Sequence, residues 1–377
     1  MAGGRKNFLF ALSILIGTVI GAGLFGLPYV IAQSGIMPGL FYFLILGVAM
    51  TVIHLLLGEA FLRTEGNCRL AGLAKIYLKA RGEKIAVVSI ILGSIGILLA
   101  YIVIGGDFLK ILFSGSSESF YLSIFFWAVC SLFVFRGVKF IALAEFFTNI
   151  VFFLIIFIVF LFVLPKTNIH NFSLFNFSGV FLPYGVILFS LIGLNAVPEI
   201  IGFLKIGKSE RNFKRVIIVG YSIVVIFYLL FAFIVVGISG SQTSPEAFQG
   251  LIPFLGGNII FLGALAAVIT LIDSFIVIGL NLKNVLVYDY RVNKILASLV
   301  VCGFPLTLFL LGFRNFIEII GLVGIIVGTI QGILIILIFR KAKKLGDRKP
   351  EYSLNIPRFV LYLLIAIFIV GALSQFI

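Results

Sequence analysis

The twelve residues Gly17-Thr18-Val19-Ile20-Gly21-Ala22-Gly23-Leu24-Phe25-Gly26-Leu27-Pro28 are apolar enough to cross a bilayer, yet carry four glycines and a proline. Inside hydrocarbon every backbone N–H and C=O needs a partner. A helix therefore breaks there only where protein or a watery cavity receives the freed groups. Such a break predicts a polar ligand near the midplane; the competing explanation is close helix packing through small residues. A second segment repeats the pattern. Residues 21–31 overlay residues 191–201 without a gap, so that Gly23, Leu24, Pro28 and Ile31 fall on Gly193, Leu194, Pro198 and Ile201. Interrupted apolar segments at corresponding places in two halves of a chain point to the binding site of a secondary transporter.

Ionisable residues within apolar spans form the second group of candidates, since an aspartate at a helix centre costs about 2.5–3.5 kcal/mol on insertion. Asp273 is the sharpest case, beside Ser274 and one turn after Thr270. It needs a cation, a hydrogen-bond network or a proton. Glu199 follows Pro198 and is expected to bond amides freed by that break, and Glu145 lies in the inner third of a span. His54 and Glu59, five residues apart, do not stack on one helix face. Asp107, Arg314 and Glu318 stand near span ends, where interfacial placement explains them. Enzyme chemistry finds no footing: there is no cysteine–histidine metal cluster, no P-loop and no carboxylate pair sharing a histidine. Cys68, Cys130 and Cys302 are expected as free thiols.

The elements that position these residues follow from composition. With 62% hydrophobic and 11% charged residues over 377 positions, the chain reads as an all-α polytopic membrane protein. Hydropathy predicts about eleven spans, near 8–34, 39–62, 85–112, 120–135, 140–164, 181–204, 216–239, 258–282, 295–313, 316–339 and 358–376. The first is expected to be retained as a span and not removed as a signal peptide. The net charge of +14 is spread over short loops and reads as topology, not as a nucleic-acid surface. With the N-terminus inside, 25 of the 28 lysines and arginines fall on the inner side, leaving Lys110, Lys166 and Arg314 outside. Eleven spans then place the C-terminus outside. The mixed apolar and basic stretch 63–84 predicts an amphipathic helix on the inner surface.

Gly17-Thr18-x-Ile20-Gly21-Ala22-Gly23 followed by Leu27-Pro28-Tyr29 resembles the first-span signature of the amino acid–polyamine–organocation superfamily. The likeness is closest to the amino acid/auxin permease and aromatic amino acid permease branches. Val197-Pro198-Glu199-Ile200, Gly279–Asn284, Gly321–Gly324 and Gln331–Leu334 are similar to stretches of the sixth, eighth and tenth spans there. The resemblance implies a LeuT-type fold of five plus five inverted spans with helices 1 and 6 broken. Residues 1–377 would form one domain: repeat one at 8–164, repeat two at 181–339 and an extra helix at 358–376. It implies an amino-acid substrate held by Gly21, Ala22, Gly23, Leu24 and Phe25 of the first break and Phe189, Ile192, Gly193 and Asn195 of the second. Gly21–Gly23 would donate amides to the carboxylate, in keeping with the positive end of a half-helix. Asn195 stands where many relatives carry an acid. Gly93, Ser94, Ile97 and Tyr101 of the third span would add a wall. A coupling ion, H+ or Na+, would sit among the Gly17 and Ile20 carbonyls and Thr270, Asp273 and Ser274.

The reading that results is a secondary active transporter of neutral, hydrophobic or aromatic amino acids in the cytoplasmic membrane. Membrane lipids are expected as surroundings; no cofactor beyond the coupling ion, no nucleic acid and no obligate protein partner is implied. Open alternatives are a same-fold carrier of another cation or amine, a sensor of that fold with little transport, and a membrane-embedded enzyme or lipid-handling protein.

Overall fold

Long apolar runs free of charge leave the backbone one economical way to satisfy itself in lipid, the helix. The structure, a computed structural model, describes residues 2–66, 68–113, 118–137, 154–157, 160–161, 164–207 and 209–376. In order these give α1 (Ala2–Val19), α2 (Gly23–Ser34), α3 (Ile36–Leu62), α4 (Leu70–Leu112), α5 (Ser119–Arg136) and α6 (Leu182–Ser190). There follow α7 (Ala196–Ile206), α8 (Phe213–Ser239), α9 (Gly257–Asn284), α10 (Lys294–Leu310), α11 (Phe316–Leu345) and α12 (Arg358–Leu373). Among the described residues there is no strand. Ten of the eleven expected spans coincide with these helices. The span expected at 140–164, with Glu145, lies almost wholly outside the described residues.

Both predicted breaks are present. α1 and α2 meet at a 60° bend across Ile20–Ala22, and α6 and α7 are separated by Leu191–Asn195. α1 packs on α7 while α2 packs on α6, so the two interrupted spans run antiparallel with their breaks side by side. α3 and α8 flank the pair, and α4 packs on α5, α9, α10 and α11. α11 also lies along α6, backbone against backbone. A Cβ on Gly185 would stand 2.6 Å from the Gly321 carbonyl oxygen, and one on Gly324 2.1 Å from that of Gly185. Small residues let these helices touch this closely where dispersion, not water, drives association.

One expectation changes in detail. The amphipathic stretch begins at Leu70 and runs into the third span, interrupted only at Lys79, whose φ of 62° turns the chain from the surface into the bundle. The segment 164–181 is bonded to the turn between α2 and α3: Ser173 O accepts from the Ile36 amide and Ser34 O from the Asn176 amide. The turn it covers needs Gly35, at φ 90° and with Leu174 and Phe175 backbone atoms within 2.8 Å of any Cβ.

At the opposite end, residues 346–357 fold back across α3. The fully buried Glu59 carboxylate pairs with Arg63 at 2.8 Å and accepts from the Leu354 amide at 2.6 Å and the Ser353 hydroxyl at 3.3 Å. Tyr352 donates to Leu55 O at 2.6 Å and stacks on Phe213. His54, one turn earlier, faces other partners.

Candidate functional site

The two breaks share one cavity of about 170 Å³. Its floor is backbone: Gly21, Ala22 and Gly23 from one break, Ile192, Gly193 and Asn195 from the other. At the start of a helix the first N–H groups have no preceding carbonyl within it. At the start of α2, Leu24 N donates to Gly21 O and Phe25 N to Ala22 O. The amides of Gly21–Gly23 therefore stand at the positive end of a half-helix, the arrangement that receives an anion. The glycines differ in what surrounds them. A Cβ at Gly21 would meet nothing within 4 Å, whereas one at Gly23 would lie 2.9 Å from Ser190 Cα. Gly21 borders open space; Gly23 is where α2 and α6 touch. The break thus serves a cavity and a close helix contact at once.

The remaining walls are mostly apolar. Val19, Phe189 and Ile192 of the broken spans face Ile90 and Ile97 of α4, Ile278 of α9, and Val323 and Val327 of α11. Gly93, Ser94 and Tyr101 join Ile97 in lining the cavity from α4. At one end Gln331 donates to Ser89 Oγ at 3.3 Å. Among the described residues no lysine, arginine, aspartate or glutamate lines the cavity. Thr18 and Asn195 on its wall are solvent-exposed, which opens it toward the side of the bundle carrying the N-terminus. Toward the other side Phe25, Phe108 and Phe248 meet edge to face, with centroids 4.8–5.7 Å apart, all buried.

Not every expected residue reaches the cavity. Gly21, Ala22, Gly23, Phe189, Ile192, Gly193 and Asn195 line it. Leu24 and Phe25 do not: Leu24 is fully buried away from it and Phe25 belongs to the aromatic closure. α-Helical twist explains this, since residues one and two steps into α2 point away from the face on which Gly21–Gly23 open. Of α9 only Ile278 lines the cavity, and Ser274, Asp273 and Thr270 lie one to two turns nearer its start. Thr270 donates to Ala266 O. α9 packs on α4, α5 and α10. Gly17 and Ile20 lie in the first broken span, the Ile20 amide still bonded to Ile16 O. Glu199 is exposed in the first turn of α7 and makes no hydrogen bond to that turn's amides among the described residues. The span-end charges take local roles: Asp107 accepts from Ser119, Glu318 closes a cap with Asn315, and Arg314 stacks on Phe120.

Two residues of the site went unread in the sequence. Tyr228 of α8, fully buried, shares its one hydroxyl proton between Val19 O at 2.8 Å and Ser190 O at 3.0 Å, the carbonyl ends of the half-helices α1 and α6. Tyr221, two turns earlier on the same face, donates to Leu191 O at 2.9 Å and lies 2.8 Å from His54 Nε2. His54 Nδ1 is 2.7 Å from Met50 O, a group that only accepts, so Nδ1 carries a proton. Buried tyrosine hydroxyls need partners, and carbonyls freed by a break need donors. The i, i+7 spacing of two tyrosines in an apolar span was the available signal.

Comparison with known proteins follows the same lines. The model of the tryptophan/tyrosine permease family matches residues 5–375. Glutamine transporter 2 of Aliivibrio fischeri is 26% identical over 329 residues, 83% of this chain and 83% of that protein. The crystal structure of MhsT in complex with L-phenylalanine superposes with a TM-score of 0.62 at 14% identity, over 99% of this chain and 98% of that one. At that identity the likeness speaks for the fold, the LeuT-type arrangement that the family resemblance implied.

Proposed function

Because the chain belongs to the tryptophan/tyrosine permease family, we propose that it carries a neutral amino acid with a hydrophobic or aromatic side chain across the cytoplasmic membrane by alternating access. It is a multi-pass amino-acid transport protein and not an enzyme. Repeat one at 8–164 and repeat two at 181–339 supply one break each, with 358–376 added. The observation that carries the reading is the single cavity whose floor is the backbone of both breaks. An α-amino acid offers a carboxylate for the Gly21–Gly23 amides and an ammonium for carbonyls of the second break, Ile192 among them. Apolar walls without a charged side chain support a neutral substrate of the hydrophobic or aromatic kind. A glutamine transporter among the relatives and a phenylalanine complex among the structures fit a neutral α-amino acid.

Uptake is coupled to H+ or Na+, with Asp273, flanked by Ser274 and Thr270, the first candidate for the ion because a carboxylate at that depth needs charge compensation. The inner-side excess of lysine and arginine supports an N-terminus in the cytoplasm, so that the cavity opens inward. The test is uptake into proteoliposomes of labelled amino acids under separately imposed sodium and proton gradients. Leucine, phenylalanine, tyrosine or tryptophan should compete strongly and arginine or glutamate weakly. Equal competition by the charged amino acids would overturn the substrate class, and absence of gradient-driven uptake of any amino acid would overturn secondary active transport.

A further inference from the structure

A second cavity, of about 570 Å³, lies away from the breaks, between the end of α11, the start of α12 and the amphipathic stretch before Lys79. Arg340, Lys341, Lys343, Lys344 and Arg358 line it, together with apolar Leu78, Leu337, Phe339, Leu345, Ile356 and Leu361. Among the described residues no carboxylate lines it, and Arg340, Lys341, Lys344 and Arg358 take part in no salt bridge. Of the two acids in the chain segment between them, Asp347 and Glu351, neither lines the cavity, and Glu351 is paired with Arg348. The side chains are also partly fixed. The Arg340 guanidinium lies over the Tyr362 ring at 5.8 Å, and Lys343 donates to Leu354 O. α12 also leaves Phe359, Tyr362 and Leu363 exposed.

Positive residues at inner span ends set topology without forming a cavity. Here five of them converge on a hollow whose other half is apolar, at the level where spans meet the surface. The occupant that matches both halves is an anionic amphiphile, phosphate toward the cations and chains along the leucines. We propose that this groove binds the headgroup of an anionic glycerophospholipid of the inner leaflet. Basic hollows between spans on the inner side recognise such headgroups. The site is independent of the amino-acid cavity.

The experiment measures retention of dioleoyl-phosphatidylglycerol by native mass spectrometry of the full chain in detergent, with thermal unfolding alongside. The groove variant is Arg340→Gln/Lys344→Gln/Arg358→Gln. The control variant, Arg211→Gln/Lys214→Gln/Arg215→Gln, removes the same charge from around the start of α8. At about fivefold per cation near an anionic surface, the groove variant should lose on the order of a hundredfold in affinity while the control keeps wild-type retention. Phosphatidylglycerol should raise the unfolding midpoint of wild type and control but not of the groove variant. Equal loss in both variants would reduce the effect to overall charge and overturn the site. So would equal retention of dioleoyl-phosphatidylcholine, or equal stabilisation by glycerol 3-phosphate, which lacks chains. If the groove variant is misfolded, single substitutions at Arg340 and Arg358 should each give the fivefold loss; normal retention in both overturns the proposal.

Discussion

At the scale of single residues, the two glycines of the first break separate two explanations that the sequence leaves superposed. Gly21 faces open space, so Gly21→Val should project into the cavity, leave the protein monodisperse and abolish amino-acid binding. Gly23→Ala should instead drive a methyl group against Ser190 and cost stability, about 1–3 kcal/mol as for other overpacked contacts. Thermal unfolding and equilibrium binding on both variants check this, and the reverse pattern would exchange their roles. Tyr228 offers a second test. Its hydroxyl ties both half-helix ends, and a hydrogen bond between spans contributes only about 0.6 kcal/mol on average. Tyr228→Phe should therefore unfold nearly as wild type yet bind substrate about tenfold more weakly, because the break carbonyls lose their anchor. Tyr184→Phe is the control. That hydroxyl bonds Ile367 and Phe368 carbonyls far from the breaks, and its loss should leave affinity unchanged. Equal affinity in all three proteins would make Tyr228 a packing residue. Glycine and proline spacing made the breaks legible, since they act on the backbone where they stand. Tyr221 and Tyr228 were not, because a hydroxyl's partner depends on which helix face meets which neighbour.

At the scale of elements, helices were legible wherever apolar length decided them, and irregular segments were not. The segment 240–256 shows why: its structure rests on contacts made at a distance. Phe248 completes the closure with Phe25 and Phe108, and Glu246 beside it is buried, accepting from the Gln249 amide at 2.9 Å. Burial pushes the Glu246 carboxyl above the ordinary carboxylate range, and the Asp107 charge acts in the same direction. The closed segment therefore prefers the protonated acid. Its contribution to closure is complete below the ordinary carboxylate pKa and is lost as pH rises through the raised value. Hydrogen exchange over 240–256, corrected for intrinsic rate, should be most protected in acid and loosen toward neutral pH, and Glu246→Gln should flatten that profile. Identical profiles for both proteins would remove Glu246 from the closure. The same dependence on contact explains Leu24 and Phe25. Sequence places them at the break, but one or two steps along α2 carry them to other neighbours.

For the whole molecule, the paired breaks were readable because one glycine–proline pattern occurs twice, and the fold because the residues of that pattern carry a family resemblance. Ion coupling was less readable, since it depends on where α9 sits, and Asp273 lies more than a turn from the residue of α9 that lines the cavity. If Asp273 carries the coupling ion, Asp273→Asn should impair concentrative uptake far more than substrate exchange, because exchange needs no return of the empty carrier. Fully concentrative uptake with unchanged sodium and pH dependence would exclude it and turn attention to His54 and Glu145. One further consequence concerns the order in which the chain is made. Glu59 is sealed by Ser353 and Leu354, the latter 295 residues downstream. At about 5–20 residues per second the ribosome needs roughly 15–60 s to supply them. Until then Arg63 alone shields a carboxylate already in the membrane. The nascent chain is thus exposed to quality control for most of its synthesis, and truncation at Leu345 should leave it there. Pulse–chase turnover of that truncation should be fast and should slow when Glu59→Gln is added; unaltered turnover on adding Glu59→Gln would show that the waiting carboxylate is not what surveillance detects.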